Sequence, residues 1–313
     1  METGRQQDTM VDLGIVIVNW NTVDYLKKCL ETVQASEGDF RYRVVVVDNG
    51  SSDGSQAMVR DNFPDVHLIE SEINGGFSYG NNLGLRYLGY RDVGDVDQDA
   101  PRYALLLNPD TEVPPTSLCE MVQFMDSRPD VGMAGPKLLL ADGSLDLACR
   151  RSFPTPEVAF YHFSKLAKLF PNSPRFARYN MTYVDPDKQI EVDSVVGAYM
   201  QVRKEAIAQM GLMDETFFMY GEDLDWAYRV KEKGWKVVYH PEVTVWHIKR
   251  AASRKSQKAQ FEFYRAMLIF YRKHYRATTP MWLHSLVLMG LMVKGGRGLW
   301  KEIRHSPMPS PSH

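Results

Sequence analysis

The sequence predicts an α/β protein on a mostly parallel, doubly wound sheet with helices on both faces, followed by a C-terminal helical extension. Two observations predict it. Short runs rich in β-branched residues alternate with segments of helical periodicity from residue 13 to residue 128, and strands joined by crossover helices run parallel. The 313 residues, 44% of them hydrophobic, are enough for a sizeable core in one large domain or two small ones.

The elements follow in order. LGIVIVNW (13–20) is a short apolar run of the kind a buried parallel strand requires. In NTVDYLKKCLETVQAS (21–36), Tyr25, Leu26, Cys29, Leu30 and Val33 share one helical face. RVVVVD (43–48) is the second strand, and DGSQAMVRDNF (53–63) is a helix with Asp53 or Ser55 as N-cap. VHLIES (66–71) is the third strand and GGFSYGNNLGLRYL (75–88) the third helix. YALLLNPD (103–110) is the fourth strand, and TSLCEMVQFMDSR (116–128) the helix after it. Residues 151–180, rich in Pro, aromatics and basic side chains with weak periodicity, read as a partly mobile insertion outside the core. Strand then helix return over 191–211. A loop leads into an amphipathic helix over 213–235, and 236–247 is a strand pair or a strand and loop. Beyond Arg250 the pattern is helical, over 257–275 and the apolar 281–293. The ends, 1–10 and 306–313, read as disordered tails.

Composition narrows the function. The net charge of −2 argues against a bulk nucleic-acid binder. Residues 229–304 hold 17 Lys/Arg against 4 Asp/Glu, and the remainder 20 against 35, so an acidic body carries a basic end that suits an anionic partner. Cys29, Cys119 and Cys149 are scattered without metal-site spacing, which fits a reducing compartment. The N-terminus lacks the apolar core of a signal peptide, and no run reaches the 18 residues of a spanning helix. The expectation is therefore a cytoplasmic protein.

Ligands of an open parallel sheet bind outside the carboxyl ends of its strands. Three of the first four strands end there in oxygen-bearing side chains: Asn19 and Asn21 around Trp20, Asp48 with Asn49, and Asn108 with Asp110. Each alone is an ordinary turn former, whereas together they mark one sheet edge. The first strand-to-helix turn, VNWNTVDYL, contains no glycine, which argues against a dinucleotide fold, and no GK[ST] P-loop occurs.

IVIVNWNTVDYLKKCLETV, VVVVDNGSSDGS, NGGFSYGNNLG, LLLNPDTEV, VVGAYMQVRKEAI, FFMYGEDLDWAYRVKEKGW and VWH, in this order, resemble family 2 glycosyltransferases, most closely the rhamnosyltransferase-like branch. The resemblance spans about residues 11–250. It implies a GT-A fold, with a nucleotide-sugar-binding half (11–130) and an acceptor-binding half (131–250, insertion 151–190), ahead of the helical extension 251–305. It also implies an inverting transfer from a dTDP- or UDP-sugar, with dTDP-L-rhamnose the first choice, to a glycan or polyprenyl-diphosphate-linked acceptor.

The resemblance assigns roles residue by residue. Asn19, Trp20 and Asn21 would line the base pocket, and Asp48 would bond the pyrimidine or its ribose. Asn74, Gly75, Gly76 and Asn81 would pack beside ribose and metal, although helix capping accounts for Asn74 nearly as well. Asn108-Pro109-Asp110 occupies the place of the D-x-D motif, departing at the first carboxylate. That leaves Asp110, with His247, to hold Mn2+ or Mg2+ beside the diphosphate. Gly197 and Ala198 would lie under the donor sugar, and Arg203 would contact phosphate or form a surface ion pair. In GEDLDWAYR, Asp223 would be the base and Glu222 would position acceptor hydroxyls. Asp225 would answer the helix dipole, and Trp226 would stack on a sugar or fill the core. The basic loop 249–258 would close over a diphosphate. Residues 249–304 have the composition of an interfacial helix on the inner face of the cytoplasmic membrane, or of a homodimer interface. Alternatives to a transferase are a silent sugar-nucleotide- or glycan-binding module and a sugar-1-phosphate nucleotidyltransferase.

Overall fold

The computed structural model describes residues 10–248 and 257–305. The expected tails, but for Met10, and residues 249–256 of the basic loop lie outside the described residues. The first half runs β1 (Leu13–Asn19), α1 (Val23–Gln34), β2 (Tyr42–Asp48), α2 (Ser55–Asn62), β3 (His67–Glu70), α3 (Phe77–Tyr87), β4 (Tyr103–Leu107). The second half runs β5 (Thr111–Glu112), α4 (Ser117–Ser127), β6 (Val131–Leu139), a 3-10 turn (Leu147–Cys149), α5 (Pro156–Phe163), α6 (Leu166–Leu169), β7 (Ile190–Glu191), β8 (Tyr199–Arg203), α7 (Lys204–Met210), α8 (Glu222–Glu232), β9 (Lys236–His247), α9 (Gln257–His274) and α10 (Met281–His305).

One sheet of nine strands holds the molecule together, in the order β3-β2-β1-β4-β8-β6-β9-β5, with β7 against β9. β3, β2, β1 and β4 are parallel, as their crossover helices require. The second half is mixed. β8 runs antiparallel to β4 and β6, while β6 and β9 are parallel. The reason is the route of the chain: it re-enters the sheet from the loops at the carboxyl end of β4, where the Asn108 N–H donates to the Ala198 carbonyl at 3.0 Å. No helix returns it to the other end first, so β8 must run back against its neighbours.

α1 covers the sheet through the face its periodicity marks. Leu26, Cys29, Leu30 and Val33 of α1 are all buried. α3 lies unusually close to β1. A Cβ on Gly84 would meet the Val16 side chain at 2.4 Å, so only glycine lets the helix backbone settle there. In α5, Thr155 caps the helix by accepting from the Val158 N–H and Pro156 begins it.

The insertion is fastened from below. Arg150 is buried and donates to the Val184 and Asp185 carbonyls at 2.7 Å each. The C-terminal helical part is joined to this body through α9. Ala266 and Phe270 of α9 pack with Phe217 and Leu224 in one buried cluster, so α9 belongs to the body that α8 begins.

Candidate active site

Short elements bring distant residues together at the carboxyl edge of the sheet. β5 pairs antiparallel with the end of β9, setting Thr111 opposite His247, and the Ile248 N–H donates to the Asp110 carbonyl at 2.9 Å. This places the Asp110 carboxylate 3.3 Å from His247 Nε2. The other ring nitrogen, Nδ1, is 2.9 Å from the Asp146 carboxylate. Burial disfavours a charged imidazole, but Asp110 and Asp146 outweigh it and raise the pKa of His247.

These residues suit a divalent cation. Asp146 orients the ring as an outer carboxylate does in metal–histidine sites, leaving Nε2 to face Asp110. Two ligands at adjacent corners of a coordination sphere with bonds of about 2.1 Å stand about 3 Å apart, close to the observed separation. Among the described residues, no three His, Cys, Asp or Glu side chains converge on one ion position. An ion here would therefore need oxygens from a ligand, as Mg2+ and Mn2+ commonly take from substrate phosphates.

The start of α8 supplies the second group. Tyr220 and Gly221 both adopt left-handed backbone, φ 70° and 78°, so the chain turns abruptly and the helix opens on Glu222 and Asp223. Tyr220 is the strained member of that pair. All three acids of the first turn are buried, but they are compensated differently. Asp223 accepts from Arg151 at 2.6 Å, from the Leu224 N–H at 2.8 Å and from the Gly197 N–H at 3.3 Å. Asp225 meets Arg229 at 3.0 Å and both Lys273 and His274 at 2.8 Å. Burial works to raise the Asp225 pKa, yet these partners hold it well below the usual carboxylate range. Among the described residues, Glu222 Oε2 has no hydrogen-bond partner. Burial, reinforced by the charge of Asp223, pushes the Glu222 pKa up to about 8.

A cavity of about 1360 Å³ joins the two groups. Asn108, Asp110, Asp146 and His247 line one part of it, Gly197 and Ala198 another, and Glu222, Asp223 and Arg151 a third. The insertion and α9 close it with rings, among them Phe163, Tyr179, Phe263 and Tyr264. Asp146, Arg151 and this aromatic wall are absent from the sequence reading. Asp146 stands in an ordinary turn sequence, ADGSLD, and Arg151 among several basic residues, so only the fold distinguishes them.

The residues expected on the nucleotide side lie outside this cavity's lining. Asn19 and Asp48 are paired neighbours on β1 and β2 and both are fully buried. The Asp48 carboxylate accepts from Asn19 Nδ2, the Ser51 N–H and Gln56 Nε2, each at 2.8 Å. The carboxylate ties the end of β1 to the loop and helix that follow β2. Asn21, at φ 53°, accepts from the Ser52 N–H, and Trp20 stands 53% exposed above them. Asn74 accepts from the Gly76 N–H, and Asn81 donates to the Phe77 carbonyl, so both shape the start of α3. A Cβ on Gly75 would strike the Tyr79 ring, and one on Gly76 the Phe218 carbonyl at 2.3 Å.

Two further residues of the expected site stand apart from the cavity. Arg203 sits at the opposite end of the sheet, paired with Tyr103 at the start of β4. Its guanidinium donates to the carbonyls of Val131, Met125 and Arg128, which hold it at that end. Trp226 is fully buried, and its Nε1 donates to the Gly211 carbonyl at 3.0 Å. It fills the core and does not line the cavity.

The architecture is that of a GT-A glycosyltransferase. A crystal structure of GalNAc-T7 with UDP, GalNAc and Mn2+ superposes with a TM-score of 0.58 at 14% identity, covering 97% of this chain and 59% of that one. The Staphylococcus aureus protein TarS gives a TM-score of 0.54 at 13% identity, covering 95% and 46%. This chain thus spans about half the length of those two solved chains. The family model for glycosyltransferase like family 2 matches residues 12–265, and the chain belongs to that family. It is 28% identical over 238 residues, 76% of each chain, to N-acetylglucosaminyl-diphospho-decaprenol L-rhamnosyltransferase of Mycobacterium tuberculosis. It is 29% identical over 232 residues to a low-salt glycan biosynthesis hexosyltransferase of Haloferax volcanii, covering 74% of this chain and 66% of that one. A rhamnosyltransferase of Escherichia coli K12 is 26% identical over 233 residues, 72% of this chain and 80% of its own.

Proposed function

We propose that this glycosyltransferase is inverting and metal-dependent. Its donor would be a dTDP- or UDP-sugar, first dTDP-L-rhamnose, and its acceptor a glycan or polyprenyl-diphosphate-linked sugar. The observation that carries the reading is one cavity holding Asp110 and His247 together with Glu222 and Asp223. The names of the relatives from Mycobacterium tuberculosis and Escherichia coli support a rhamnosyl donor, and the former's name supports a lipid-diphosphate acceptor. Such an acceptor would put the work at the inner face of the cytoplasmic membrane.

In this reading Asp110 and His247 hold the cation, which when bound neutralises the charge that develops on the leaving diphosphate. Gly197, whose missing side chain leaves room above Phe77, floors the place of the sugar. Asp223 takes the proton of the acceptor hydroxyl as its oxygen bonds to the anomeric carbon. The bond from that carbon to the diphosphate oxygen breaks, and the nucleoside diphosphate leaves from the opposite face. Arg151 must loosen from Asp223 for this to happen. A second reading, in which Glu222 is the acceptor of the proton, is favoured by its unpartnered Oε2 and raised pKa.

The test is donor turnover. Purified protein with Mn2+ is offered dTDP-, UDP- and GDP-sugars, with and without a lipid extract, and nucleoside diphosphate release is followed beside Asp223→Asn and Glu222→Gln. Release from one donor class that is lost in Asp223→Asn supports the first assignment. Loss confined to Glu222→Gln transfers the base role. Tight donor binding with no release in any mixture would favour the silent module.

A further inference from the structure

α10 has two apolar faces, and only one is covered. Leu291 and Leu299 are buried against Leu268 of α9, with Val287, Leu288 and Ile303 packed around them. On the first three turns of the other face, Trp282, Leu286, Met289 and Val293 are 67%, 49%, 52% and 76% exposed. Their spacing of four, three and four residues keeps them in one narrow stripe, about 16 Å long at the helical rise. Beyond the break at Gly296, Trp300 is exposed as well, with the Arg304 guanidinium 4.0 Å above its ring. Chance scatter of exposed apolar residues does not produce a stripe, and a soluble surface does not keep one without use.

The margins of the stripe identify its occupant. α10 carries Lys294, Arg297, Lys301 and Arg304 against the single acid Glu302, and Glu302 lies 3.9 Å from Arg265 of α9. A second copy of the chain would bring the same cations face to face, whereas an anionic lipid surface complements them. Tryptophan toward either end and leucine, methionine and valine between suit the boundary of headgroup and acyl chain. No described helix is long and apolar enough to cross a membrane, so the stripe can lie in the interface but cannot span it. The insertion carries a patch of similar composition. Phe160, Leu169 and Phe170 of the insertion are exposed near Lys165 and Lys168, and Phe163 of the same insertion meets the rings of Phe263 and Tyr264.

We infer that α10 is an interfacial anchor that lays Trp282, Leu286, Met289, Val293 and Trp300 into the surface of an anionic bilayer. The aromatic wall of the cavity, carried by α9, is then one helix away from the lipid. The inference deepens the proposed function and rests on it only for why a membrane would be useful. Its test is read without turnover, so the two can fail separately.

The full-length protein is floated with vesicles of zwitterionic lipid alone and with vesicles containing about one-third anionic lipid, at low and at high salt. Three proteins are compared: wild type, Trp282→Ser/Leu286→Ser/Val293→Ser, and Lys294→Glu/Arg297→Glu. All five positions are exposed, and circular dichroism with gel filtration verifies that each variant is folded. Wild type is expected to float with the anionic vesicles and to lose about tenfold in partitioning at high salt. Each variant is expected to lose about tenfold or more at low salt. Equal binding of wild type and the triple-serine variant overturns the inference, as does wild type that floats with neither vesicle. Concentration-dependent dimers that the triple-serine variant abolishes, with no vesicle binding by wild type, would assign the stripe to a second copy instead.

Discussion

Three acids in four consecutive positions of one helix have three different fates, and charge compensation decides which. Asp225 is surrounded by Arg229, Lys273 and His274 and is structural. Asp223 shares its charge with Arg151, in a cavity that Glu222 enters without a partner. If Asp223 takes the acceptor proton, Asp223→Asn should lower kcat by about 10²–10⁴-fold with KM little changed. Steady-state kinetics of both amide variants would measure it. Glu222 also makes a stability prediction. Its native pKa is raised to about 8 from the ordinary 4.5, so between those values the native state holds a proton that the unfolded chain has released. Stability should therefore fall as pH rises through this window, by on the order of a few kcal/mol, and the fall should be complete above it. Glu222→Gln, neutral at every pH, should flatten that slope. Urea midpoints at about pH 6 and about pH 9 would measure it, and parallel slopes for the two proteins would refute the assignment.

At the scale of elements, α8 joins chemistry to core. Its first residues face the cavity, while Trp226 and Ala227 are fully buried against the sheet. Trp226→Ala should cost about 3–5 kcal/mol of stability through the cavity it leaves. The fraction that remains folded should keep its KM for acceptor, because the indole touches no substrate space. Thermal melts paired with acceptor titrations would test both halves. A selective rise in acceptor KM at unchanged melting temperature would restore the stacking role. α9 extends the same logic, since Lys273 and His274 pin it to Asp225 while Phe263 and Tyr264 wall the cavity. The sequence pattern made α9 and α10 look like an extension because their periodicity follows a basic run. Packing makes α9 part of the site.

For the whole molecule, the sheet order decides what meets what. β9 travels along β6 and ends against β5, and that route alone sets His247 beside Asp110 and carries the Asp146 turn to its other nitrogen. If Asp110 and His247 hold Mn2+, Asp146→Asn should leave both in place yet weaken Mn2+ binding about 10–100-fold, because the imidazole loses the partner that orients it. Calorimetric titration with Mn2+ and nucleoside diphosphate would show it. Unchanged affinity would remove Asp146 from the site. The parallel half of the sheet was legible in the chain, since valine-rich runs separated by amphipathic helices leave few other arrangements. So were the loops at the strand ends and the acids that open α8, since residue type and spacing already mark them. What stayed hidden was which of those polar atoms remain available. Asp48 proves to have three protein donors, and Arg203 stands at the far end of the sheet. Arg151 and Asp146 read like nothing and lie in the cavity. The sequence by itself determined the strands, the helices and the identities of the chemical groups, because these follow from local periodicity and side-chain type. Only the tertiary structure decided the antiparallel entry of β8, the partners of each charge and the face that α10 leaves bare. Those depend on contacts between residues far apart in the chain.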